Sequence, residues 1–229
     1  MAFSRRDFIK TGAGVAAAAA TSGAQVLQDN KDAKPVEPGA ALPADRMPEI
    51  PADKMTDEQK KAAAEFSAGR NTPVFGPFVP LLRSPEVMLR AKAMGDYLRF
   101  KNSLNPKINE LAICITARFW TQQFIWSVHY GAAVNAGIGS EGLKAIADGR
   151  NPKFTYETEQ LCYEFCTELL QNKCVSDATY SWAVNKFTEK GVIDLVGVVG
   201  YYTFLSLTMN TTRTAVPKGP AAPLVLFPH

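Results

Sequence analysis

Histidine is almost absent from this chain. Its 229 residues hold two, His129 and His229. With a single internal imidazole, and no second histidine or carboxylate at close helical spacing beside it, a metal centre would have a thin ligand set, and no metal site is expected. Cysteine is sparse too, and Cys114, Cys162, Cys166 and Cys174 form no CxxC pair. An excess of one charge is also missing. Lysine and arginine number 25 against 22 aspartates and glutamates, and no basic stripe marks a nucleic-acid partner. Nothing reads as a convincing β-strand, because the β-branched residues fall inside helix-period patterns. The expectation is an all-α protein.

What is present begins at the N-terminus. Ser4-Arg5-Arg6-Asp7-Phe8-Ile9-Lys10 precedes TGAGVAAAAATSGA, a weakly apolar run ending in small residues. A charged region, a short apolar region and a small-residue cleavage site make a secretory signal, here of the paired-arginine type whose cargo crosses already folded. The run is shorter than the ~20 residues that span a bilayer. Residues 1–24 therefore read as a removable export signal, which predicts a periplasmic or secreted protein. Without Arg5, Arg6, Lys10 and Asp7 the remaining chain carries 22 basic and 21 acidic residues. Its near-neutral balance says little about partners. No later stretch reads as a second span, so no stable membrane insertion is expected after the signal is removed.

Residues 25–55 are rich in Pro, Ala, Asp and Lys without periodicity and read as a flexible lead-in. A helical domain over 56–229 follows. Thr56 with Gln59 offers a capping box for a helix to about Arg70. The segment NTPVFGPFVPLL, with three prolines, predicts an ordered loop whose apolar side chains need burial. Ser84-Pro85-Glu86 and Asn105-Pro106 each supply a cap and an N1 proline, for helices to about Lys101 and Phe119. Further helices are predicted over 121–136, 140–148, 156–172, 176–190 and 192–209. Gly137, Gly149 and Gly191 serve as stops, with Ser140 and Ser176 as caps. The last helix is apolar nearly all round, fitting either the core or a contact with another subunit. An extended tail is expected from about residue 211.

The chemistry concentrates in ELAICITARFWTQQFIWSVHYGAAVNAG, residues 110–137, which holds Glu110 and His129. If the helices flanking Phe119-Trp120-Thr121 form a hairpin, both residues lie ~14 Å from the bend. They would then stand at the same height, although spacing does not fix their rotation. A carboxylate holding one ring nitrogen's proton leaves the other nitrogen free to move a substrate proton. The alternative is a core histidine beside a solvated acid. RFWTQQ contains no strong breaker, so one long helix also stands as an alternative. Cys162 and Cys166, one helical turn apart, read as buried thiols, with a bridge through Cys174 as the other possibility.

Five stretches, LLRSPE (81–86), YLRFKNSL (97–104), NELAICITARFW (109–120), QFIWSVH (123–129) and AAVNAGI (132–138), resemble in order the carboxymuconolactone decarboxylase family. That family also contains alkyl hydroperoxidase D. VSDATYSWAVNKFTEKGVIDLVGVVGYY resembles its C-terminal half, so the likeness spans about residues 70–215. It implies a compact helical fold assembling as a trimer or hexamer, a pocket between helices near subunit contacts, and a cofactor-free enzyme acting on a small lactone or cyclic organic acid. It makes His129 the general acid/base and Glu110 its orienting partner. Arg118 becomes the candidate for holding a substrate carboxylate, with a structural salt bridge as its plainer role. Gln122, Trp126 and Tyr130 become candidate lining. Two departures stand out. The peroxidase branch has cysteines where this chain has Gln122 and Ile125, so thiol peroxide reduction is not expected. Relatives commonly read QYEW where this chain reads Gln123-Phe124-Ile125-Trp126, so a polar group is lost at Ile125. A non-catalytic binding or assembly protein on the same fold is the competing expectation.

Overall fold

The computed structural model describes residues 45–68, 72–217 and 223–225. The proposed signal and most of the lead-in, residues 1–44, lie outside them. The described residues contain eight α-helices and no strand, so the fold is all-α. These are α1 (Asp57–Ser67), α2 (Phe78–Leu81), α3 (Pro85–Phe100), α4 (Pro106–Phe119), α5 (Gln123–Asn135), α6 (Ser140–Ala147), α7 (Glu157–Asn172) and α8 (Asp177–Thr212).

Local chemistry sets most of the boundaries. At α1 the full capping box forms: Gln59 N–H donates to Thr56 Oγ1, and Thr56 N–H donates to Gln59 Oε1. Asn105 caps α4 by accepting from Lys107 N–H, and Ser176 caps α8 by accepting from Thr179 N–H. Gly137 and Gly149, at φ 96° and 71°, close α5 and α6 in the left-handed conformation that costs glycine least.

Several boundaries differ from expectation. Ser140 is the first residue of α6 and Gly139 occupies its cap. The proline-rich segment is not all loop, since Phe78–Leu81 form one helical turn that buries Phe78 and Leu81. The lead-in, expected to be flexible through residue 55, is held from residue 45. Arg46 N–H donates to Thr212 O, Arg83 Nη2 donates to Pro48 O, and Ile50 and Met55 pack against the core. Gly191 does not end a helix. The break in α8 falls at Thr188 (φ 66°, ψ 167°), whose hydroxyl accepts from Gly191 N–H and so caps the following segment.

Helix α4 is the axis of the fold. Ile108, Asn109 and every residue from Leu111 to Arg118 are buried, because α5, α6, α7 and α8 pack around it. A helix apolar on all sides must be enclosed in this way. Within that run Glu110 alone is only partly covered. Helix α8 is long and apolar enough to cross a membrane by composition, contrary to the reading that no later stretch was. Its most apolar window is, however, 56% buried inside the fold, and it carries a buried carboxylate. Asp194 accepts from Tyr97 Oη, from Ser103 N–H and Oγ, and from Lys190 Nζ. Burial pushes that carboxyl up, but these donors outweigh it and bring its pKa down to about 2.

Candidate functional site

The hairpin on which the site depends exists. Helix α4 ends at Phe119, Thr121 takes φ 47°, and α5 starts at Gln123. Thr121 N–H donates to Arg118 O and Gln122 N–H to Ala117 O, the paired bonds of a Schellman closure, with threonine where glycine usually stands. Left-handed backbone costs a non-glycine residue ~1–2 kcal/mol, and the surroundings offset it. Gln122 Oε1 accepts from Phe124 N–H and Ile125 N–H, while its Nε2 donates to Asn210 Oδ1. Asn210 Nδ2 donates to Trp120 O, and Trp120 Nε1 donates to Thr203 Oγ1. The turn is thus clamped onto α8.

Antiparallel return from this turn brings Glu110 and His129 together, with Oε2 and Nδ1 2.6 Å apart. Both side chains are largely buried, at 15% and 6% exposure. Burial pushes the imidazole below its ordinary value. The hydrogen bond and charge of Glu110 oppose that fall, and the charge of Arg99 adds to it. The neutral tautomer that suits this pairing carries its proton on Nδ1 and donates it to the Glu110 carboxylate. That leaves Nε2 unprotonated, and among the described residues it has no hydrogen-bond partner.

His129 lines a cavity of about 50 Å³, or about 480 Å³ of empty space with its open mouth included. Phe78, Ile125, Tyr201, Tyr202 and Leu205 contribute to the walls, and Arg99, Phe75 and Val128 are exposed at it. The Tyr202 ring meets the imidazole edge-on, with centroids 5.1 Å apart. Burial raises the Tyr202 phenol, so it stays protonated. Gly95 lines the same cavity because nothing larger fits: an added Cβ would collide with the Tyr201 hydroxyl.

Ile125, where the sequence lost a polar group, stands in this wall, but none of the candidates Arg118, Gln122, Trp126 and Tyr130 lines the cavity. Gln122 caps and clamps the turn. Trp126 is buried with Tyr130 against it, rings 5.6 Å apart, away from the cavity wall. Arg118 lies on a different cavity, where Nη1 donates to Val225 O; it makes no ion pair with Glu110. It follows Glu110 by eight residues, which carries it ~12 Å along the central helix toward its C-terminal end. The arginine that does reach the histidine's cavity is Arg99. It sits inside the YLRFKNSL stretch, but the packing of α3 against α8 that brings it there has no local signal.

All four cysteines are free. Burial, with the Glu110 charge adding to it, raises the Cys114 thiol. Cys162, hydrogen-bonded with Cys166 and buried, is raised as well. Cys174 is exposed. No group of three or more His, Cys, Asp or Glu among the described residues converges as metal ligands.

Residues 2–22 match the TAT (twin-arginine translocation) pathway signal sequence. The protein is exported. The match covers SRRDFIK and most of the apolar run, so the chain is carried across the membrane to the periplasm or beyond it. A comparison with curated proteins returned no match.

Proposed function

We propose that this exported protein is a cofactor-free proton-transfer enzyme of the carboxymuconolactone decarboxylase type, acting on a small lactone or cyclic organic acid. The carrying observation is the 2.6 Å contact between Glu110 Oε2 and His129 Nδ1 at the wall of an apolar cavity. Glu110 fixes the tautomer and stabilises the imidazolium, while Nε2 takes or gives the proton at a substrate carbon. The lowered imidazole pKa favours the base form at neutral pH. Arg99, exposed at the same cavity, takes the carboxylate-binding role that the sequence suggested for Arg118, because a planar guanidinium suits a carboxylate.

Size bounds the substrate. A cavity near 150 Å³ takes a benzene ring, so the inner space of about 50 Å³ admits only the reacting end. The remainder would lie in the mouth between Phe75, Val128 and Arg99. The same tightness favours the second reading, a binding protein that kept the pocket and lost turnover, and the apolar side chain of Ile125 in the wall fits that reading too. Thiol-based peroxide reduction has no support, since Cys114, the thiol nearest the dyad, is buried and held protonated rather than activated. Assembly as a trimer or hexamer belongs to the same proposal. An apolar stripe on α8 with Ile193, Val196 and Leu207 exposed is a surface suited to it.

The test reads proton transfer directly. The mature protein is incubated with five-membered lactone acids in D₂O, and deuterium incorporation at carbon is followed by NMR. Exchange that falls ~10²–10⁴-fold in His129→Gln supports the enzyme. Binding without exchange in the native chain supports the second reading.

A further inference from the structure

The cavity on another side of α4 shares no lining residue with the histidine's cavity and has a different character. It is about 330 Å³ and opens to the surface between α4, α6 and α7, a size within the ~300–1,000 Å³ of small-molecule sites. Its charges are cationic in sum. Arg118, 5% exposed, and Arg150 both line it, with Lys144 and Asp148 adjoining through the Asp148 ion pairs. Asp148 is the single acid among these four, shared by Lys144 and Arg150 at 2.8 and 2.9 Å. Arg118 is held in place by donating Nη1 to the Val225 carbonyl at 2.8 Å. Val225 is itself positioned by Gln123, whose amide accepts from Leu224 N–H and donates to Leu224 O.

The opposite wall comes from one face of α7. Tyr163, Thr167 and Gln171 fall at i, i+4 and i+8 and line the cavity together. Among the described residues their side-chain polar groups make no hydrogen bond. Between the cationic end and this polar ladder, Ile115, Phe119, Ile146 and Leu170 supply apolar surface.

We propose that this cavity is a second ligand site, taking an organic monocarboxylate with an aromatic or branched aliphatic body. The carboxylate pairs with Arg118 and Arg150, the body lies against Phe119, Ile146 and Leu170, and the polar groups of α7 accept or donate to substituents. Two guanidiniums in a partly desolvated pocket favour an anion through charge-assisted hydrogen bonds, and the apolar area separates an organic acid from a bare inorganic ion. The proposal is independent of the dyad, since no residue of the Glu110–His129 cavity takes part.

The experiment is calorimetric titration of the full mature chain with benzoate, with benzyl alcohol and inorganic phosphate as comparison probes. Saturable benzoate binding, stronger than that of either comparison, is expected. Arg150→Gln alters a side chain that is 59% exposed, so it is expected to keep the fold and to weaken benzoate about tenfold. Arg118→Lys, which keeps the charge but loses the fork, is expected to weaken it as well. His129→Gln is expected to leave benzoate affinity unchanged. Benzoate binding no tighter than benzyl alcohol would overturn the site. Phosphate binding as tight as benzoate would overturn the amphiphilic assignment. Loss of benzoate affinity in His129→Gln with none in Arg150→Gln would place the acid in the other cavity and overturn the proposal.

Discussion

The two cavities flanking α4 differ in size and in lining. One is about 50 Å³ and lined by aromatic and aliphatic side chains, with an imidazole tied to a carboxylate at its wall. The other is about 330 Å³ and holds two guanidiniums facing hydroxyl and amide groups. Proton transfer profits from exclusion of water, which strengthens each electrostatic contact. Recognition of an anion needs fixed positive charge and room more than dryness. One helix serves both because eight residues separate Glu110 from Arg118 on an axis that is surrounded by other helices. The difference shows that an arginine close in sequence to the Glu110–His129 pair need not share its cavity.

The largest expected break of this contrast is His129→Gln, a loss of ~10²–10⁴-fold in carbon deuterium exchange. Next come two structural tests on the dry side. Glu110→Ala strips the buried imidazole of its partner and is expected to cost ~1–3 kcal/mol in urea unfolding. Gly95→Ala drives a methyl into the Tyr201 hydroxyl and is expected to cost a comparable ~1–3 kcal/mol as α3 and α8 are pushed apart. Both should leave benzoate titration at the wider cavity unaltered.

A smaller and graded effect should come with pH. The folded imidazole has a lowered pKa, so between its folded value and its ordinary 6.5 the unfolded chain binds the extra proton. His129 therefore contributes stability that is complete above pH 6.5 and declines as the pH falls below it. Asp194, with its folded value near 2 against 3.8, contributes stability that is complete above pH 3.8 and is lost as pH falls toward 2. Thermal melts of the native chain, His129→Gln and Asp194→Asn across pH 3–8 separate the two windows. The smallest effect is on the open side, where Arg150→Gln is expected to change stability by no more than ~0.5 kcal/mol while weakening benzoate.

Much of the helical scaffold was legible because its signals are local. The Thr56 capping box, the caps at Asn105 and Ser176 and the left-handed glycines at 137 and 149 all act within a few residues of themselves. Where the reading missed, distant packing had overruled local preference. Thr121 adopts a turn conformation that a β-branched residue avoids because Gln122, Asn210 and Thr203 clamp it from outside. Thr188 breaks α8 three residues before the glycine that looked like a stop. In the site, equal distances from the bend placed Glu110 and His129 at one height, but only the rotation of α4 against α5 put Oε2 and Nδ1 in contact. Arg118, Gln122, Trp126 and Tyr130 share the motif region without sharing the cavity.

The amino-acid sequence by itself determined export, through the paired arginines and short apolar run matched at residues 2–22, and it determined an all-helical body through caps and periodicity. Both are properties of neighbouring residues and need no fold to be expressed. Which arginine stands with the histidine, how little room surrounds it and where a second cationic hollow opens were decided by the tertiary structure. These depend on how α3, α5, α7 and α8 rotate and close around α4, and that rotation is fixed only when side chains far apart in the chain interdigitate.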